Sequence, residues 1–234
     1  MTYHPKWMLK NVYDTDEDNV IDWKALQLAG VRQEVLQNFT DPKILIATSS
    51  MNEVLNSADL VEVQAGNISS DSQELTIVGG TSSTKGHSWV YWNLPVDASK
   101  VYIKARLNNV NVSVITIELC NGDASTFSNP PNFYSLQLYP SGSTNDYALK
   151  KVVNDVWSTL GYEAVDLNYN TYYKIEFYWD NSGTLKGWRD DSLKINVNNT
   201  AISPIRAVRF RVYDNSTSEA QSGKLKGEVI IIYE

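Results

Sequence analysis

A chain of 234 residues, 42% hydrophobic and 20% charged, has ordinary globular composition and room for one large β domain, or a slightly smaller one with an N-terminal appendage. Its net charge of −7 repels phosphate backbones, which argues against nucleic acid as a partner while leaving glycans open. The lone Cys120 excludes an intramolecular disulfide and reads as a packed, inert thiol. No apolar run approaches the ~18 residues of a membrane-spanning helix.

The chain opens on "MTYHPKWMLKNVYDTDED", which lacks the apolar stretch of a secretory signal. The expected location is therefore a virion or an extracellular surface reached without a visible leader. In "DTDEDNVID", Asp14, Asp16, Asp18 and Asp22 have the spacing of oxygen ligands around a hard cation. The stretch resembles the calcium loops of EF-hands and dockerins. Asn19 stands where the turn glycine belongs, and Ala25 where the bidentate carboxylate belongs, so calcium is a candidate whose loop lacks two of the usual ligand oxygens. The plain alternative is a solvated acidic turn capping a helix. The stretch also resembles acidic segments near attachment regions of phage and archaeal-virus fibres, a resemblance that implies assembly or attachment.

Next, "WKALQLAGVRQEVLQNF" places Leu28, Val31, Val35 and Phe39 at three- and four-residue spacing. That predicts an amphipathic helix with Asp22 as N-cap and "DPK" as its stop. "MNEVLNSADL" predicts a second short helix. Residues 1–57 thus read as a partly helical appendage for attachment or oligomerisation, and residues 58–234 as a β domain.

From Asp59 onward the period becomes two. Strands are predicted at "ELTIVGG", "SWVYWNLP", "KVYIKARLNN", "VSVITIELC", "YSLQLYP", "YALKKVV", "YYKIEFYWD", "TLKGW", "SLKINVN", "AVRFRVYD" and "KLKGEVIIIYE", with Gly, Pro, Asn and Ser turns between them. Val101, Ile103, Ala105 and Leu107 form one core-facing row. Ser113, Ile115, Ile117 and Leu119 form a second, Tyr173, Ile175, Phe177 and Trp179 a third, and Val208, Phe210 and Val212 a fourth. Many short strands without a 20–50-residue repeat predict an all-β, antiparallel jelly-roll sandwich.

The stretch "YYKIEFYWDNSGTLKGWRDDSLKINVNNTAISPIRAVRFRVYD" resembles the C-terminal half of concanavalin A-like, laminin-G-type jelly rolls. The resemblance implies two packed antiparallel sheets and a concave face often used for carbohydrate. It does not imply activity. Glycosidases on this sandwich usually carry "E-x-D-x-x-E" on one strand, whereas Glu118 and Glu176 each stand alone on theirs. His4 and His87 have no spaced partners for a zinc site or a triad. A non-catalytic protein is therefore expected.

The candidate glycan-stacking residues are Tyr172, Tyr178 and Trp188, together with Trp89, Tyr91 and Trp92, where Trp89 and Tyr91 share one face of their strand, Trp92 the other, and one of those faces is not core. The alternative for them is a second buried layer, under the appendage or at a subunit interface. Three functions compete. The first is a virion or phage surface component, oligomeric or particle-bound, that attaches to host surface or glycan. The second is a cellular carbohydrate-binding module or adhesin, and the third a polysaccharide hydrolase or lyase.

Overall fold

The structure is a computed structural model and describes residues 30–81, 83–110, 114–122, 132–140, 146–214 and 220–234. Among these, two short helices, α1 (Gln33–Leu36) and α2 (Met51–Asn56), accompany β1 (Lys43–Thr48), β2 (Leu60–Val63), β3 (Asn67–Ser70), β4 (Glu74–Val78), β5 (Gly86–Ala98), β6 (Lys100–Val110) and β7 (Val114–Cys120). The chain continues through β8 (Phe133–Leu138), β9 (Tyr147–Val153), β10 (Val156–Glu163), β11 (Tyr173–Asp180), β12 (Thr184–Arg189), β13 (Ser192–Asn198), β14 (Ile205–Asp214), β15 (Ser222–Lys226) and β16 (Val229–Tyr233).

All pairings between these strands are antiparallel and build two sheets. One is seven-stranded, in the order β10-β9-β8-β7-β14-β5-β2. The other has nine strands organised on β6. One edge of β6 pairs with β11, and the other is shared by β16 beside Val101–Lys104 and β15 beside Leu107–Val110. The four core rows predicted from sequence lie between the sheets and are buried, apart from Ser113, which lies outside the described residues. Close contact between layers explains Gly223: a Cβ there would meet Ile115 Cδ1 and Val212 Cγ2 at 2.8 Å. Two hairpins turn on residues with positive φ, Asn154–Asp155 and Asp190–Asp191. Pairs of left-handed residues match strand twist, and Asn and Asp tolerate that conformation better than most side chains. The fold is thus the expected all-β jelly-roll sandwich.

Two segments that the sequence assigns to the appendage are built into this body. "KILIAT" forms β1, which pairs with β16 at the far end of the chain. A short apolar run carries no period of its own, so only the distant partner makes it a strand. The second predicted helix is present as α2, capped by Ser50 Oγ accepting from Glu53 N, and it contributes Met51 and Val54 to the core.

Residues 31–39 cover the outer face of the nine-stranded sheet. Val31, Val35, Leu36 and Phe39 pack on Tyr102, Tyr178, Trp188, Ile230 and Ile232. The predicted spacing thus marks the buried stripe, and among the described residues of this segment α1 is the regular helix; Leu28 and the cap Asp22 lie outside the described residues. Arg32 fastens this segment: its guanidinium lies 5.2 Å over the Trp188 ring and its Nε lies 2.8 Å from a Glu176 carboxylate oxygen. Glu176 is buried and also accepts from Tyr102 Oη at 2.6 Å.

Candidate functional site

The outer face of the seven-stranded sheet follows from strand alternation. Because Val208, Phe210 and Val212 point into the core, Arg209 and Arg211 of β14 must point out. Register carries that face across the sheet. Tyr91, Arg209, Glu118, Ser135, Lys150 and Thr159 form one cross-strand row, and Trp89, Arg211, Thr116, Gln137, Ala148 and Tyr162 the next.

At its centre Glu118 is buried between two arginines. It pairs with Arg209 Nε and, at 2.9 Å, with Arg211 Nη2. Thr116 Oγ1 donates to the same carboxylate at 3.1 Å and Ser135 Oγ at 3.4 Å. Burial alone would raise the Glu118 pKa, but the charges of Arg209 and Arg211 overcome it and hold the carboxyl below its usual range. The guanidinium groups are roofed by aromatics. Arg209 lies 4.8 Å from the Trp89 ring centre and 4.9 Å from that of Phe133, and Arg211 lies 5.3 Å from Phe133 and 5.8 Å from Trp157.

Beside this centre lies an exposed aromatic pair on the edge strand β10. Trp157 is 47% and Tyr162 55% exposed. Five residues apart in a regular strand, they would point to opposite faces. The register of β10 against β9 shifts between Thr159 and Gly161, so that Trp157 opposes Val152 and Tyr162 opposes Ala148. This β-bulge absorbs one residue and puts both rings on the outer face. Trp157 is braced by an edge contact with Phe133 at 5.6 Å and by the Lys150 ammonium 5.9 Å from its ring centre.

The sequence-nominated aromatics lie in separate places. Trp92 belongs to the core between the sheets, 5.8 Å edge-on to Phe210, with Nε1 donating to Ser57 Oγ at 3.2 Å. Tyr178 and Trp188 lie under residues 31–39. Trp89 and Tyr91 are on the outer face described above but are buried within it. Tyr172 is half-buried on the other sheet, its hydroxyl donating to Glu74 at 2.5 Å. For Trp92, Tyr178 and Trp188 the structure corrects the expectation of an exposed stacking face, because the chain itself fills the space over their rings. The second buried layer that the sequence offered as the alternative is present, formed for Tyr178 and Trp188 by residues 31–39 of the same chain.

His87 stacks on Tyr213 at 4.5 Å, and burial, then the nearby Arg211 charge, push its pKa down to about 4. Cys120 is buried, and its thiol is pushed up to about 12, chiefly by burial. The candidate calcium ligands Asp14, Asp16, Asp18 and Asp22 lie outside the described residues. Among the described residues, no group of three or more His, Cys, Asp or Glu side chains is placed to hold a metal, and no helix is long and apolar enough to cross a membrane.

No protein-family model and no curated protein matches the chain. Solved structures do. The kappa-carrageenase of Pseudoalteromonas carrageenovora, in complex with an oligotetrasaccharide of kappa-carrageenan, superposes with a TM-score of 0.59 at 6% identity, over 87% of this chain and 100% of that one. A Bacillus subtilis protein of unknown function with a galectin-like fold gives 0.57 at 10% identity over 80% and 94%. The cellulose-induced protein Cip1 gives 0.55 at 15% identity over 79% and 96%. At such identities the likeness is one of fold. The chain shares with them a jelly-roll β-sandwich fold.

Proposed function

We propose that this chain is a non-catalytic carbohydrate-recognition module that holds glycan on the outer face of its seven-stranded sheet. The observation that carries this reading is the pair of solvent-open rings, Trp157 and Tyr162, brought to one face by the bulge in β10. Ring faces are electron-rich and attract the polarised C–H groups of a sugar, while the rings' breadth excludes water from one side of it. Lys150, in the row between the two rings, is placed to meet hydroxyls. Fold neighbours support the same reading, since one of them was solved with an oligosaccharide bound.

The non-catalytic part rests on Glu118. Glycoside hydrolysis on two carboxyl groups requires a pair roughly 5–10 Å apart, one of them able to hold a proton. Glu118 is kept ionised by two arginines, and its cross-strand neighbours are Arg209 and Ser135. Its work is to fix the guanidinium groups that brace the aromatic surface. Display on a virion or cell surface is the setting such a module suits. The acidic segment that suggested particle attachment lies outside the described residues, and none of the three fold neighbours described above supports it.

Retardation in native gels cast with individual polysaccharides tests the proposal. The wild-type chain is expected to be slowed by at least one polysaccharide, with mobility restored in Trp157→Ala and Tyr162→Ala and no reducing ends released. Unchanged retardation in both variants, or turnover of the polysaccharide, would overturn it.

A further inference from the structure

Across five adjacent strands of the seven-stranded sheet, the outer face carries charge opposite in sign to that of the whole chain. On the described outer faces of β14, β7, β8, β9 and β10 there are three cations, Arg209, Arg211 and Lys150, against one carboxylate, Glu118. That carboxylate is fully engaged with both arginines. Positive charge is therefore left over, and two positions show where. Arg211 Nε is buried and makes no hydrogen bond, although Nη2 of the same group reaches Glu118 at 2.9 Å. Among the described residues no carboxylate pairs with the Lys150 ammonium, which sits 5.9 Å from the Trp157 ring centre, with Arg211 5.8 Å from the same ring.

Burying charge without a counter-ion is costly, and such groups are ordinarily paired. Burial shifts both groups toward their neutral forms: the pKa of Lys150 and that of Arg211 are lowered, each chiefly by desolvation. An anion bound over this spot would relieve that cost, and the exposed indole that both cations approach offers the surface on which the sugar ring carrying the anion would stack.

Resting on the glycan reading above, we infer that the ligand is an anionic polysaccharide, whose uronate carboxylate or sulfate ester sits between Lys150 and Arg211 while its sugar ring stacks on Trp157. The protein's net charge of −7 would repel such a polymer elsewhere, which directs it to this face. Ion pairing of this kind weakens as salt screens it.

The test measures binding of the intact chain to three polysaccharides, polygalacturonate, a sulfated galactan and a neutral β-glucan, and to single-stranded DNA, at low and high salt, with Lys150→Met and Lys150→Glu. Methionine keeps the stem over the indole and removes the charge. The inference expects salt-sensitive binding to one of the two acidic polymers, weakened roughly tenfold or more in Lys150→Met, as for one charge-assisted contact, and further in Lys150→Glu. Which polymer binds distinguishes carboxylate from sulfate. Binding of the neutral glucan alone, unaffected by either Lys150 variant, would overturn the anionic ligand and leave glycan recognition standing. Binding of none of the three would remove both. Equal affinity for single-stranded DNA would replace a glycan site with general polyanion capture and overturn the inference.

Discussion

Replacing Glu118 by Gln probes the most demanding arrangement in the molecule. The carboxylate has no exposed surface, pairs with two buried guanidinium groups and accepts from Thr116 and Ser135. The amide keeps shape and volume but leaves Arg209 and Arg211 without a counter-charge in the same confined space. Removing one member of a buried ion pair costs about 3–5 kcal/mol, which in a domain of this size lowers Tm by roughly 6–20 °C. Urea unfolding should show the midpoint falling with the m-value unchanged.

The same variant carries a pH signature. Because the folded-state pKa of Glu118 lies below its usual value, its contribution is full above the unfolded value of about 4.3. It is lost as pH falls through the depressed folded value. The stability gap between wild type and Glu118→Gln should therefore be widest at neutral pH and close on acidification. A gap under ~1 kcal/mol, the range of exposed pairs, or one independent of pH would refute the buried-triad account.

Other consequences follow from individual side chains. Trp188→Ala should cost about 3–5 kcal/mol, as for a buried tryptophan, and should expose residues 31–39 to limited proteolysis, because it removes the ring that Arg32 covers. Equal protease resistance would show that the segment is held otherwise. Cys120, its thiol pushed up to about 12 by burial, should resist alkylation in the native state and react only after unfolding. His87 should titrate by NMR near pH 4. Since its folded pKa is depressed below the unfolded ~6.5, its contribution to stability is present above that value and is lost as pH falls toward 4. A midpoint near 6.5 would place it in solvent.

The sandwich was legible because its strands keep strict alternation over residues such as Val101–Leu107 and Tyr173–Trp179, where one face is wholly buried. The site was much less so, for three physical reasons. Arg209 and Arg211 alternate with core residues, but nothing local reveals that β14 lies beside β7; that neighbour relation makes Glu118, which looks solitary on its strand, the centre of a triad. Trp157 and Tyr162 escaped because β10 is an edge strand with little buried face, and because the bulge breaks the parity that sequence reading depends on. Gly161 inside "VWSTLGYE" was the available signal, since glycine within a strand pattern often marks a bulge. Conversely, Tyr178 and Trp188 lie off the core rows, as expected, yet are buried because residues 31–39 return across their sheet.

The most direct test is a two-dimensional NMR titration of the folded protein with a short oligosaccharide of whichever polysaccharide retards it, read at the tryptophan indole N–H signals. The account predicts that Trp157 shifts with saturation while Trp92, Trp179 and Trp188, enclosed in the two cores, stay in place. Saturable shifts at Trp188 with Trp157 silent would put the ligand on the opposite sheet and contradict the account.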